Sequence, residues 1–239
     1  MRHADGLWGA LAAAVVVALA MAAAISGYKM ILIMPDNLSV ERRASMNAYG
    51  AQLILTPADK GGMEYARDLA QSMQAEGKGK VLDQFANPDN PRAHIEGTGP
   101  EIWNQTDGQV THFVSAMGTT GTIMGVGSYL KSRNADIQVI GAQPAPGASI
   151  PGIRKWSEEY QPAIYNKAGV DQFELIGQQE AEDMARHLAA SEGIFGGISS
   201  AGALVAALRT AERVTNATIV FIVCDRGDRY LSQGVFNPV

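Results

Sequence analysis

Short apolar runs alternate with longer amphipathic stretches along this chain. Residues 28–34 (YKMILIM) read as a strand stopped by Pro35-Asp36-Asn37. Ser39 is then placed to cap a helix running through Tyr49, with Gly50 as its stop. The same reading predicts strands at 52–56, 81–85, 113–116, 137–142 and, buried, 218–223. It predicts helices at 62–74, 100–106, 122–132, 178–192 and 201–214, with Pro100 suited to a first turn. Strands separated by single helices imply βαβ units and a mostly parallel sheet, so the fold class is α/β. Asn, Pro and Asp make 87–91 read as a loop, and 87–98 is the natural domain break. Residues 144–170 read as a long irregular segment, of the kind that often carries function.

The N-terminal part has no such alternation. Residues 7–25 carry no charge and follow Arg2 and His3. Length alone would permit a membrane span or an export signal. Alanine dominates the stretch, however, and contributes little to insertion compared with leucine or phenylalanine. An Ala/Val-rich helix packed on a sheet is the other reading, and it implies a cytoplasmic protein.

Composition narrows the chemistry. Hydrophobic residues make up 46% of the 239 positions and charged residues 18%, as in a globular chain. A formal charge of −5 offers no basic footprint for nucleic acid. One cysteine, Cys224, cannot form an internal disulfide and suits a reducing compartment. Four scattered histidines and one cysteine show no metal-ligand spacing.

The segment 111–123 (THFVSAMGTTGTI) reads as a strand, a Gly/Thr loop and a helix start. Such a loop holds a phosphate: backbone N–H groups and the helix dipole face the anion. Gly118 and Gly121 allow close approach, and Thr119, Thr120 and Thr122 add hydroxyls. Three further segments stand out. Ser199 and Ser200, in the turn 193–203, either cap a helix or aim a hydroxyl into a cleft. Residues 224–230 (CDRGDRY) follow the last strand, at the edge where open α/β sheets bind ligands, or form a local Asp/Arg network. Arg154, Lys155 and Trp156 are either solvated or an anion site.

Together these motifs resemble the fold-type II enzymes that use pyridoxal phosphate, and among them the cysteine synthases (O-acetylserine sulfhydrylases). The resemblance runs from about Val17 to Phe236. It is carried by MPDN at 34–37 with ERR at 41–43, LDQF at 82–85 with NPDNP at 87–91, and TGPEIW at 98–103. Further along it is carried by MGTTGT at 117–122, SIPGIR at 149–154 and CDRGDRYLS at 224–232, the last favouring the B type over the A type. It implies two α/β domains with mostly parallel sheets and the family's first strands missing: an unrelated apolar segment 1–16, the rest of a small domain at 17–95, and a large cofactor-binding domain at 96–239. It implies pyridoxal 5'-phosphate as cofactor, with its phosphate in the cup of Gly118, Thr119, Thr120, Gly121 and Thr122 and its ring nitrogen on Ser199. A hydroxyl there does not hold the nitrogen protonated as a carboxylate would, which suits β-elimination and β-replacement. Gln84 and Phe85 would lie near the amino-acid substrate, O-acetylserine, and Arg154 at a sulfur-donor entrance open to sulfide or thiosulfate. A cytoplasmic homodimer is implied, with neither nucleic acid nor membrane as partner.

Two departures matter. Family members carry a Schiff-base lysine in an Asn-Pro-x-Gly-Ser-x-Lys-Asp-Arg context, and none of Lys29, Lys60, Lys78, Lys80, Lys131, Lys155 and Lys167 has that context. Where the family's Thr-Ser-Gly-Asn-Thr-Gly substrate loop is expected, this chain has LAAAVV at 11–16. No catalytic residue is therefore assigned. A sulfur-transfer enzyme with impaired turnover, a non-catalytic relative or partner of the same fold, and a serine or threonine dehydratase-like enzyme are the three readings. Arg154 and the 224–232 run argue against the dehydratase.

Overall fold

The computed structural model describes residues 7–10 and 13–237. The chain divides into two units, Met1–Gln84 with Arg229–Gly234, and Phe85–Asp228 with Val235–Val239. The first unit holds β1 (Leu7–Ala10), α1 (Ala13–Ser26), β2 (Met30–Pro35), α2 (Val40–Ala48), β3 (Gln52–Thr56), α3 (Gly62–Ala75) and β4 (Lys80–Val81). Its strands are all parallel, in the order β3-β2-β1-β4. β2 is buried along its whole length because both faces are covered. Met30, Leu32 and Met34 pack with Ala20 and Ala23 of α1 and Met46 of α2. Ile31 and Ile33 point the other way, onto Ala66 and Ala70 of α3. That two-sided burial is why MILIM is an unbroken apolar run.

The apolar stretch 7–25 is thus split between a strand and a 14-residue helix. No helix among the described residues is long and apolar enough to cross a membrane. Residues 1–16, read from the sequence as unrelated to the fold, supply β1, which pairs with β2 and β4. Parallel pairing is made by backbone N–H and C=O groups and does not require particular side chains.

The second unit holds α4 (Asp89–Ala93), a π-helical turn (His94–Thr98), α5 (Gly99–Gln105), β5 (His112–Ala116), α6 (Gly121–Arg133), β6 (Gln138–Pro144), β7 (Gln172–Ile176), α7 (Gln178–Glu192), α8 (Ile198–Ala211) and β8 (Ile219–Phe221). The sheet is parallel throughout, in the order β7-β6-β5-β8. Phe113, Ile123, Val126, Leu130 and Val139 share one core, while α8 packs on β5 and on α7. From β5 the chain winds first to β6 and β7 and later to β8 on its other side. The crevice beyond the carboxyl ends of β5 and β8 is therefore a topological switch point, where doubly wound sheets bind ligands.

Several elements differ from the sequence reading. Residues 87–98, expected as a loop and domain break, are mostly helical. The Asn87 side chain accepts from the Asp89 N–H at 2.9 Å and its carbonyl from Asn90 at 3.1 Å, so Asn87 starts the turn. Arg92 then bridges Asp89 and Glu96 at 3.2 and 3.1 Å. The change of unit falls after Gln84, earlier than residue 95, because Phe85 already belongs to the second unit: its carbonyl accepts from Ile164 at 3.2 Å and its ring meets Trp156. The strand expected at 81–85 shrinks to β4, since Asp83 adopts φ +34° and leaves the extended region. β7 was not anticipated, and β8 is only half-buried because it lies at the sheet edge.

Candidate cofactor site

The loop between β5 and α6 is the segment read from the sequence as a phosphate cup. Thr120 caps α6 with φ +72°, an unfavourable conformation for a β-branched residue. Strain of this kind persists where surrounding structure demands it, and it clusters at ligand sites. Thr120 is buried, at 3% exposure, and its Oγ1 has no hydrogen-bond partner among the described residues. A buried hydroxyl left unsatisfied costs about 1–3 kcal/mol, which an incoming acceptor would recover. The first turn of α6, which the side chain of its cap residue does not satisfy, lies in the same place, with the Gly121 N–H donating to Thr119 Oγ1 at 3.4 Å. The donor set therefore fits a phosphate group.

Neighbouring segments hold the cup in shape. Arg154 donates its backbone N–H to the Met117 carbonyl at 2.7 Å, and Trp156 donates its indole N–H to the Gly118 carbonyl at 2.7 Å. The Arg154 guanidinium lies 5.5 Å from the Trp156 ring centre, and the Phe85 ring meets that indole edge-on at 5.2 Å. From behind, Asn90 Nδ2 donates to Thr119 Oγ1 at 3.1 Å, while His94 Nε2 stands 3.2 Å from Thr122 Oγ1. Burial pushes the His94 pKa down, so its ring is neutral near pH 7.

The turn before α8 joins the same place. Ser199 and Ser200 lie inside the first turn of α8 and are both buried; Gly197, not a serine, is the cap. A Cβ on Gly152 would stand 3.0 Å from Ser199, and one on Gly118 would stand 3.2 Å from the Gly152 carbonyl. Gly152 also has φ +88°, so glycine suits it twice over. Ser200 Oγ accepts from the Cys224 N–H at 2.9 Å, and Gly197 donates to the Asp225 carbonyl at 2.9 Å. Thus the segments 117–122, 150–156, 193–203 and 224–228, far apart in sequence, converge at the switch point.

Residues 4–225 match the family described as pyridoxal-phosphate dependent enzymes. The chain belongs to that family. Cysteine synthase B of Pseudomonas aeruginosa is 59% identical over 238 residues, covering 100% of this chain and 79% of the relative. Cysteine synthase B of Salmonella typhimurium is 58% identical, covering 92% of this chain and 73% of the relative. Among solved structures, the O-acetyl serine sulfhydrylase isoform 3 of Entamoeba histolytica superposes with a TM-score of 0.87 at 36% identity, over 100% of this chain and 74% of that one. The match to the pyridoxal-phosphate family begins at residue 4, ahead of the Val17 start read from the motifs.

Gly118, Thr119, Thr120, Gly121, Thr122, Ser199, Phe85 and Arg154 all lie in the second unit of this pyridoxal-phosphate family chain. Gln84 is buried in the first. Asn90 and Gly152 were read from the sequence only as parts of the motifs at 87–91 and 149–154, and His94 was not singled out. Asn87 followed by Asp89 and Pro91 is a helix-start signal that could have placed Asn90 and His94 on a helix. Cys224 is exposed at the surface yet closely surrounded by protein. Those surroundings push its thiol pKa up to about 11, with the Asp225 charge adding to the rise and hydrogen bonds from Ser199 and Ser200 opposing it. The Asp/Arg reading of 224–230 also holds in part, since Arg226 pairs with Asp228 at 3.2 Å.

None of the seven lysines is buried. Lys131 is half-buried and pairs with Asp171 at 2.8 Å, and the other six are exposed. A reactive lysine amine is ordinarily activated by burial or by a neighbouring cation.

Proposed function

We propose that this chain is a cysteine synthase-type protein whose second unit binds pyridoxal phosphate and serves β-replacement on O-acetylserine, with sulfide or thiosulfate as sulfur donor. The observation that carries the reading is the buried, unpartnered Thr120 hydroxyl at the start of α6, in a chain 59% identical to a cysteine synthase B. The chemistry supplied by pyridoxal phosphate when bound is stabilisation of negative charge at an amino acid's α-carbon, which lets one β-substituent leave and another replace it.

The chain's own residues bind and orient. Gly118, Thr119, Thr120, Gly121 and Thr122 hold the phosphate through hydroxyl and backbone N–H groups. Ser199 meets the ring nitrogen with a neutral hydroxyl and leaves its proton content unforced. Arg154, fixed through its backbone to Met117 and stacked on Trp156, offers a cation to an anionic sulfur donor. Phe85 lies on the amino-acid side. Assembly as a homodimer and a cytoplasmic location rest on the likeness to the relatives, and sedimentation tests the first.

Turnover by this chain alone is impaired, because none of its lysines is buried and no lysine among the described residues is built into the cup. The same observation favours a second reading, a non-catalytic member of the fold that holds the cofactor. The test is the absorbance spectrum of the purified chain titrated with pyridoxal phosphate, before and after borohydride, alongside cysteine formation from O-acetylserine and sulfide. Saturable binding competed by inorganic phosphate, with no lysine fixed by reduction and little cysteine formed, is expected. Absence of saturable binding would remove the cofactor reading. Reduction onto one lysine with rapid turnover would remove the impairment.

A further inference from the structure

We infer that Asn90 and His94 are positioning residues that aim the hydroxyl protons of Thr119 and Thr122 at the phosphate held in the cup. The inference rests on the phosphate reading above.

A hydroxyl has one proton and two lone pairs. It can donate to an anion only if its neighbours do not take that proton. Thr119 satisfies this condition: Asn90 Nδ2 donates to its Oγ1 at 3.1 Å and the Gly121 N–H at 3.4 Å. Both contacts use lone pairs, so the Thr119 proton remains for the ligand.

Thr122 depends on the His94 ring. Burial keeps that ring neutral, with a single proton on one of two nitrogens. Nδ1 lies 2.9 Å from Thr98 Oγ1 and Nε2 lies 3.2 Å from Thr122 Oγ1. With the proton on Nδ1, Thr122 would have to donate to the ring and would turn its proton from the cup. With the proton on Nε2, the ring donates to Thr122, Thr98 donates to Nδ1, and the Thr122 proton faces the anion. A hydrogen bond to phosphate is charge-assisted and stronger than one to a neutral imidazole, so the second arrangement is favoured once the anion is present.

The backbone explains how both side chains reach this place. Asn90 and His94 are four residues apart in the helical stretch 89–98 and share a face. Gly121 and Gly125, also four apart, lie opposite them on α6. A Cβ on Gly121 would meet the Asn90 amide, 2.7 Å from its Nδ2, and one on Gly125 would stand 2.7 Å from His94 Cβ. The two glycines let the helical stretch approach closely enough for its polar side chains to touch the cup hydroxyls from behind.

The test uses the full chain, with inorganic phosphate and pyridoxal phosphate as separate probes. Nitrogen-15 spectra of labelled histidine should show, in the phosphate-bound protein, a protonated Nε2 and a bare Nδ1 for His94. Calorimetry should show that His94→Leu and Asn90→Ala each weaken both probes about tenfold, the size expected for losing one oriented donor to an anion. His94→Gln, whose amide can still donate near the Nε2 position, should bind within about threefold of wild type. A protonated Nδ1, or His94→Leu binding as wild type does, would overturn the inference while leaving the cup reading intact. Wild-type protein that binds neither probe would overturn the cup reading itself. Should His94→Leu fail to fold, the tautomer and the His94→Gln variant decide.

Discussion

Gly125→Ala separates helix propensity from packing at the α4–α6 crossing. In an exposed helix interior, glycine to alanine stabilises by roughly 0.4–1 kcal/mol, because alanine has less backbone freedom to lose. At Gly125 the new methyl would collide with the Pro91 carbonyl and lie 2.7 Å from His94 Cβ. The first obstacle is backbone and cannot rotate aside, so the stretch 89–98 must move off α6. Overpacking of this kind costs about 1–3 kcal/mol, which exceeds the propensity gain. A net loss of about 1–2 kcal/mol is expected, and for a chain of this size it lowers the thermal midpoint by about 2–4 °C per kcal/mol. Circular dichroism melts measure it. Gly97→Ala is the control, since nothing lies within 4 Å of its added methyl, and it should leave the midpoint unchanged or raise it. The displaced Asn90 and His94 should also weaken phosphate binding in Gly125→Ala. A Gly125→Ala midpoint equal to or above wild type would refute the reasoning, because the helices would then have slack that the structure does not show.

Thr120→Gly should raise the melting temperature by relieving the left-handed strain, yet weaken phosphate binding by removing the buried hydroxyl; calorimetry and melts on one sample check both, and unchanged affinity would exclude Thr120 from the cup. Cys224, raised from 9.0 to about 11, should react with iodoacetamide at pH 8 roughly 100-fold more slowly in the folded chain than in urea. The folded thiol stays protonated where the unfolded one ionises, so this group's contribution is intact below pH 9.0 and is lost as pH rises toward 11. The Glu41 carboxyl is held low by hydrogen bonds from the Ser232 hydroxyl at 2.7 Å and its N–H at 2.8 Å. As pH falls below 4.5 the unfolded chain takes up that proton first, so the stability it contributes is present above that value and lost on further acidification. Glu41→Gln should flatten the acid limb of the stability profile, and an identical acid limb would show that the tie to Ser232 contributes nothing.

The strand–loop–helix arrangement at 111–123 was legible in the chain because its signals are local. A strand, two glycines, four threonines and a helix start lie within residues 111–123, and local backbone preferences suffice to shape them. MILIM likewise announces a strand. The helical stretch 89–98 was hidden by its own composition: Asn87, Pro88, Asp89, Asn90 and Pro91 are turn formers in isolation, and only packing against Gly121 and Gly125 makes them a helix carrying Asn90 and His94. β1 was hidden because its partners in the sheet lie some 20 and 70 residues later in the chain. The α/β class, the parallel sheets and the family all follow from local pattern and motif. Packing sets which residues stand around the β5–α6 loop. Ser199, Gly152, Arg154, Asn90 and His94 meet there through crossovers and glycine-sized gaps, and no local pattern encodes a contact whose distance is set by the packing of two helices and a sheet.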